Sequence, residues 1–134
     1  MRVEEVASEK LARYRRASLT RDLYDLAWIA QRVFDEALVR RLTVLKVWYD
    51  VVDDGLGDRP FAPTDVLAAR RPVDFDPEAI GYLTTPVDVP AWIAAVERRY
   101  RFLAELSDEE RSFARCSPGD RWQVEQAVVA FEPS

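Results

Sequence analysis

The chain has 134 residues, 49% of them hydrophobic, with a net charge of −5 at pH 7. That is enough apolar content for one folded domain with its own core, and too acidic for a protein that coats nucleic acid without specificity. Histidine is absent and Cys116 is the sole cysteine, which excludes histidine-based triads, histidine zinc ligands, internal disulfides and multi-cysteine clusters.

In chain order, Val3, Val6, Ala7, Leu11, Tyr14 and Ala17 recur at three- and four-residue spacing, which predicts an amphipathic helix over 3–16. Ser18 or Thr20 can cap a second, deeply buried helix over 21–34. A third runs over 35–52, with Leu38, Val39, Leu42, Leu45, Tyr49 and Val52 on its inner side, and stops at Asp53-Asp54-Gly55. The Gly- and Pro-containing stretch 55–63 reads as a loop. Short helices follow over 63–71 and 77–83, and Asp88 with Pro90 opens a longer one to Leu106. Ser107 and Glu110 carry the spacing of a capping box at the start of the next helix. A last helix covers 121–131, and Cys116 reads as a packing residue at a helix end. The expectation is an all-α fold, a small helical bundle forming a single domain over 1–134.

No stretch approaches the roughly 18 apolar residues of a membrane span. No basic N-terminal segment leads into an apolar run, so a cytoplasmic protein without a membrane partner is expected. The charge is uneven along the chain: residues 1–41 hold nine basic and seven acidic side chains, and 42–134 hold ten and seventeen. Five cations against one anion lie between Glu9 and Arg21, which reads either as a solvated helix face or as a cationic strip.

Without histidine, chemistry must rest on carboxylates, lysine, arginine or tyrosine. Only Lys10 and Lys46 are lysines among the 19 basic residues, and Lys10 falls inside the apolar stripe of the first helix. A lysine there must snorkel or meet an anion, because an unpaired buried ammonium is costly. Asp22 and Asp25 are three apart on one side of the second helix, in line with Leu26, Ile29 and Val33. They can serve the helix N-terminus and hold an arginine such as Arg21, or they can bind a divalent metal, orient a catalytic lysine or accept a proton from an attacking hydroxyl.

The run Val3 to Ala12, containing Ala7-Ser8-Glu9-Lys10-Leu11, followed by Arg21-Asp22-Leu23-Tyr24-Asp25, resembles the C-terminal motifs of the AbiEii/AbiGii-type nucleotidyltransferase toxins. The match covers about 4–32, and residues 35–134 resemble the variable helical remainder of such proteins. The resemblance implies catalytic roles for Lys10, Asp22 and Asp25, with Lys10 and Arg21 binding phosphate. It further implies a nucleoside triphosphate substrate with Mg²⁺, an RNA acceptor such as tRNA, and a winged-helix antitoxin as partner. The Gly-Gly or Gly-Ser turn and the Asp-x-Asp pair that such enzymes carry in an N-terminal half are missing. Asp74-Phe75-Asp76 has the letters of the pair but reads as a helix-initiating loop, so no metal site is assigned within this chain. The expectation is a toxin fragment lacking its N-terminal nucleotidyltransferase domain and inactive alone. The alternative is a non-catalytic helical interaction module or decayed toxin remnant, for which a homodimer through exposed apolar surface is expected.

Overall fold

The computed structural model describes residues 2–68, 70–81 and 86–131. Its regular elements are all helical, and no strand occurs among the described residues. The helices are α1 (Val3–Arg16), α2 (Thr20–Ile29), α3 (Glu36–Val52), α4 (Thr64–Leu67), α5 (Val89–Arg99), α6 (Asp108–Ala114) and α7 (Arg121–Val129), interspersed with 3₁₀ turns. No helix among the described residues is long and apolar enough to cross a membrane.

The side chains sort into two apolar clusters that share α1 and α3. Ala7, Leu11 and Tyr14 of α1 join Leu23, Leu26, Val96 and Tyr100 in one. Ala12 of α1 joins Val44, Val47, Trp48, Phe113 and Val124 in the other. This sharing explains why the predicted inner face of α3 is only partly right. Val39 and Leu45 are buried as expected, but Leu38, Leu42, Tyr49 and Val52 are only half-buried, whereas Val44, Val47 and Trp48 are fully enclosed. A helix packed on two sides has no single apolar stripe. Thr43 lies inside α3's buried surface and is satisfied by donating to the Val39 carbonyl at 2.7 Å.

Helix α2 departs from the sequence expectation at both ends. Its N-cap is Leu19, with no side-chain cap, so neither Ser18 nor Thr20 performs that role. The negative charge of Asp22 in the first turn serves the helix end instead. The helix stops at Ile29, not Phe34, because the next bonds tighten to i−3 and Arg99 of α5 takes the freed carbonyls. Arg99 Nε donates to the Ala30 carbonyl at 3.2 Å and Nη2 to that of Arg32 at 3.4 Å. The chain then turns, Phe34 stacks on Tyr100 at 6.1 Å, and Val33 is left 97% exposed instead of extending the apolar stripe.

Helix α5 likewise ends at Arg99, short of Leu106, and a 3₁₀ turn at Arg101–Ala104 follows. The tighter turn lets Tyr100 and Leu103, three apart, share one side; both are fully buried, with Phe102 beside them. The 63–71 segment contracts to the four residues of α4. The 77–83 segment contracts to a 3₁₀ turn at Pro77–Ile80, and Leu83 lies outside the described residues. The Ser107–Glu110 capping box forms as expected, with Ser107 Oγ accepting from Glu110 N at 3.1 Å and Glu110 Oε1 from Ser107 N at 2.9 Å.

Buried arginine organises the loop after α3. Arg15, 6% exposed, donates from Nε to Asp65 at 3.0 Å and from Nη2 to the Arg59 and Pro60 carbonyls at 2.7 and 2.9 Å. The guanidinium is thereby satisfied, as burial requires, and α4 is fastened to α1.

Two buried phenols give the fold an alkaline limit. Burial pushes Tyr14 up to about 12, although the Arg70 guanidinium 4.2 Å above its ring pulls it down in part. Burial also raises Tyr100. Below the ordinary phenol value of about 10 these groups do not affect stability. Above it the unfolded chain releases protons that the fold retains, so stability falls as pH climbs toward 12. Melting temperatures measured from pH 8 to 11.5 should therefore decline, and decline less in Tyr14→Phe. An equal decline in both proteins would contradict the assignment to Tyr14.

Candidate functional site

Helices α1 and α2 form a hairpin across the short connection 17–19, and this hairpin places the charged residues. Arg13 lies opposite Asp22, and Lys10, one turn back along α1, lies opposite Asp25, one turn forward along α2. Equal steps in opposite directions are what antiparallel neighbours produce. Lys10 Nζ sits 2.8 Å from Asp25 Oδ2 and 3.8 Å from Asp22 Oδ1. The lysine that the helical wheel put among apolar residues thus meets two carboxylates.

The two aspartates are not equivalent. Asp22 has a side chain 1% exposed and is gripped by Arg13 through two parallel bonds, Nε to Oδ2 at 2.7 Å and Nη2 to Oδ1 at 2.5 Å. Such bidentate charge-assisted bonds are strong and geometrically fixed. The Asp22 carboxylate holds the Arg13 guanidinium above its ordinary pKa, chiefly through these bonds. Asp25 and Lys10 are accessible, with side chains 22% and 23% exposed. Arg21 stands at the edge, 57% exposed, with Nε 3.7 Å from Asp25 Oδ1 and Nη1 donating to the Ile80 carbonyl at 3.4 Å.

Sequence reasoning missed Arg13. The available signal was its position three residues after Lys10, on the side of α1 that faces the two aspartates. The cationic strip is correspondingly reduced, because Lys10, Arg13 and Arg15 are all engaged with carboxylates of the same chain.

Lys10 and Asp25 open into a cleft of about 680 Å³ along the α1/α2 seam. Val3 and Val6 of α1 and Trp28, Ile29, Arg32 and Val33 complete its walls. The charge on these walls, two cations against one carboxylate, suits an anionic ligand with apolar parts.

Asp74-Phe75-Asp76 behaves as the local loop expected from sequence. Asp74 accepts from the Arg71 backbone at 3.0 Å, which is the main reason its carboxyl is held below the usual range. Asp76 accepts from Glu78 N at 2.9 Å, and Phe75 between them stacks on Tyr14. Among the described residues no group of three or more His, Cys, Asp or Glu side chains could hold a metal ion.

No family model matches the chain, and no curated protein matches it. Among solved structures, MenT4, a nucleotidyltransferase toxin from Mycobacterium tuberculosis H37Rv, is 52% identical, with a TM-score of 0.92 over 97% of this chain. Over their shared length, the chain is a relative of a nucleotidyltransferase toxin. It spans 44% of that toxin. The all-helical architecture expected from sequence is the one observed, and the expected likeness to a nucleotidyltransferase toxin is the one found.

Proposed function

We propose that this chain provides the lysine–carboxylate portion of an AbiEii-like nucleotidyltransferase toxin site, acting in transfer of a nucleotide from a nucleoside triphosphate to an RNA end such as that of tRNA. The observation that carries the reading is the Lys10–Asp25 pair, 2.8 Å apart at an open cleft in a chain 52% identical to a nucleotidyltransferase toxin. Nucleotidyl transfer asks for charge neutralisation and positioning more than for covalent chemistry. In this reading Lys10 gives its ammonium to phosphate oxygens, and Asp25 takes the proton of the attacking RNA hydroxyl. The hydroxyl oxygen bonds the α-phosphorus as its bond to the departing pyrophosphate breaks. Asp22, with both oxygens on Arg13, holds the hairpin and Lys10 in place, while Arg21 offers a second cation to phosphate.

Asp22 and Asp25 do not fit Mg²⁺ by themselves, because Arg13 holds both oxygens of Asp22, Lys10 and Arg21 flank Asp25, and no third carboxylate joins them among the described residues. In this proposal the Mg²⁺ ligands lie in a nucleotidyltransferase domain beyond this chain, and a winged-helix antitoxin restrains the whole toxin in the cytoplasm.

The test is a chimera in which this chain replaces the matching segment of MenT4, assayed for transfer of labelled nucleotide to RNA. The folded chimera should be active and the 134-residue chain alone inactive. Lys10→Met and Asp25→Asn should each reduce transfer about 100-fold or more. A folded chimera without activity, or one indifferent to both substitutions, would refute the proposal.

A further inference from the structure

The cleft that Lys10 and Asp25 line also carries a feature that the transfer chemistry does not use. Trp28 is 46% exposed although it sits on a helix whose neighbouring Leu26, Ala27 and Ile29 are buried. Arg32, one turn onward, lays its guanidinium over the indole, 3.9 Å from the ring centroid. Leaving so large an aromatic surface in water forfeits burial that the fold could have gained. A guanidinium stacked on one face stiffens the ring and adds positive charge beside it.

Spacing relates this ring to the ion pair. Trp28 lies three residues beyond Asp25 on α2, about 4.5 Å further along the axis, and both line the same cleft. Val3, Val6 and Ile29 add apolar wall to the same cleft, suited to the flat edges of a sugar and base.

We propose that Trp28, braced by Arg32, is the platform on which a nucleobase stacks when its phosphate reaches Lys10. The inference rests on the nucleotidyltransferase reading and adds a positioning residue to it. Every base has a π-face, so the platform is tolerant of base identity. The base can belong to a nucleoside triphosphate or to the unpaired end of an RNA, two sources that share the same base–ribose–phosphate chemistry.

The experiment measures equilibrium binding of the 134-residue chain at low salt to two probes separately, a fluorescent nucleoside triphosphate and a fluorescein-labelled single-stranded RNA. Trp28→Leu, which keeps apolar bulk without a π-face, should weaken at least one probe about 5- to 100-fold. Trp28→Phe should retain most of the affinity, and the probe that responds identifies the source of the base. Trp122→Leu, at a 68% exposed tryptophan on α7, should change neither, and thermal melts should show all variants folded. Binding lost in Lys10→Met but unmoved in Trp28→Leu would overturn this inference and leave the nucleotidyltransferase reading standing. Absence of binding by the wild-type chain to both probes would overturn the inference, while activity of the MenT4 chimera decides the nucleotidyltransferase reading separately. Self-association that Trp28→Leu abolishes, without any nucleotide effect, would overturn the inference in favour of a protein-covered face.

Discussion

Asp22→Ala is expected to cost about 2–3 kcal/mol of folding stability, whereas Asp25→Ala costs less than about 1 kcal/mol. Removing one member of a fully buried ion pair costs about 3–5 kcal/mol, because the partner's charge is left uncompensated. Asp22 meets that description, being 0% exposed and holding two of the Arg13 guanidinium nitrogens. Its partner does not: the Arg13 side chain is 45% exposed and can swing into water, which lowers the expected loss. Asp25 is accessible, and Lys10 released from it can snorkel along the cleft. Urea denaturation of the two variants measures the difference. A double-mutant cycle with Arg13→Ala should return a coupling energy for Asp22 and a much smaller one for Asp25. Equal losses, or a larger loss at Asp25, would remove the distinction between a structural and an accessible carboxylate.

That distinction was not legible in the sequence, although the constellation itself was. A lysine on an apolar stripe and two aspartates three apart announce themselves through helical periodicity, and hairpin packing brings them together as the pattern demands. Periodicity says nothing of which carboxylate an arginine will claim. Arg13 lies at the margin of the α1 stripe, where a charge ordinarily faces solvent. Its role depends on the register of α1 against α2, and the three-residue connection sets that register.

The ends of helices differ from the local pattern for a related reason. The apolar pattern of α2 continues through Val33 and Phe34, but Arg99, 69 residues from Ala30, takes the carbonyls that end the helix. A terminus fixed by a side chain so distant leaves no local signal. The Ser107–Glu110 box, whose partners lie three residues apart, was legible because the whole motif is local. In α3, period 3.6 found one inner stripe, while the helix is shared by two clusters and buries a second set of residues.

Trp48 belongs to that second set, and its replacement provides the sharpest test of the α3 packing. Trp48→Ala should lower stability by about 3–5 kcal/mol through loss of buried area and the cavity left behind. The side chain is 0% exposed, meets Tyr49 edge-on at 5.1 Å and donates its indole N–H to the Ser117 carbonyl at 3.0 Å. The substitution therefore also strips a partner from a carbonyl in the turn before α7. Because Arg121 of α7 lies over the same ring, α7 should loosen with it. Faster amide exchange across 121–129 should accompany a fall in melting temperature of roughly 10–20 °C. Phe retains much of the volume but not the N–H, so Trp48→Phe should fall between the two proteins. Trp122→Ala removes an equally large ring from a largely exposed position and should change stability by no more than about 0.5 kcal/mol. Comparable losses at Trp48 and Trp122 would mean that α3 does not present its Trp48 face to a packed interior.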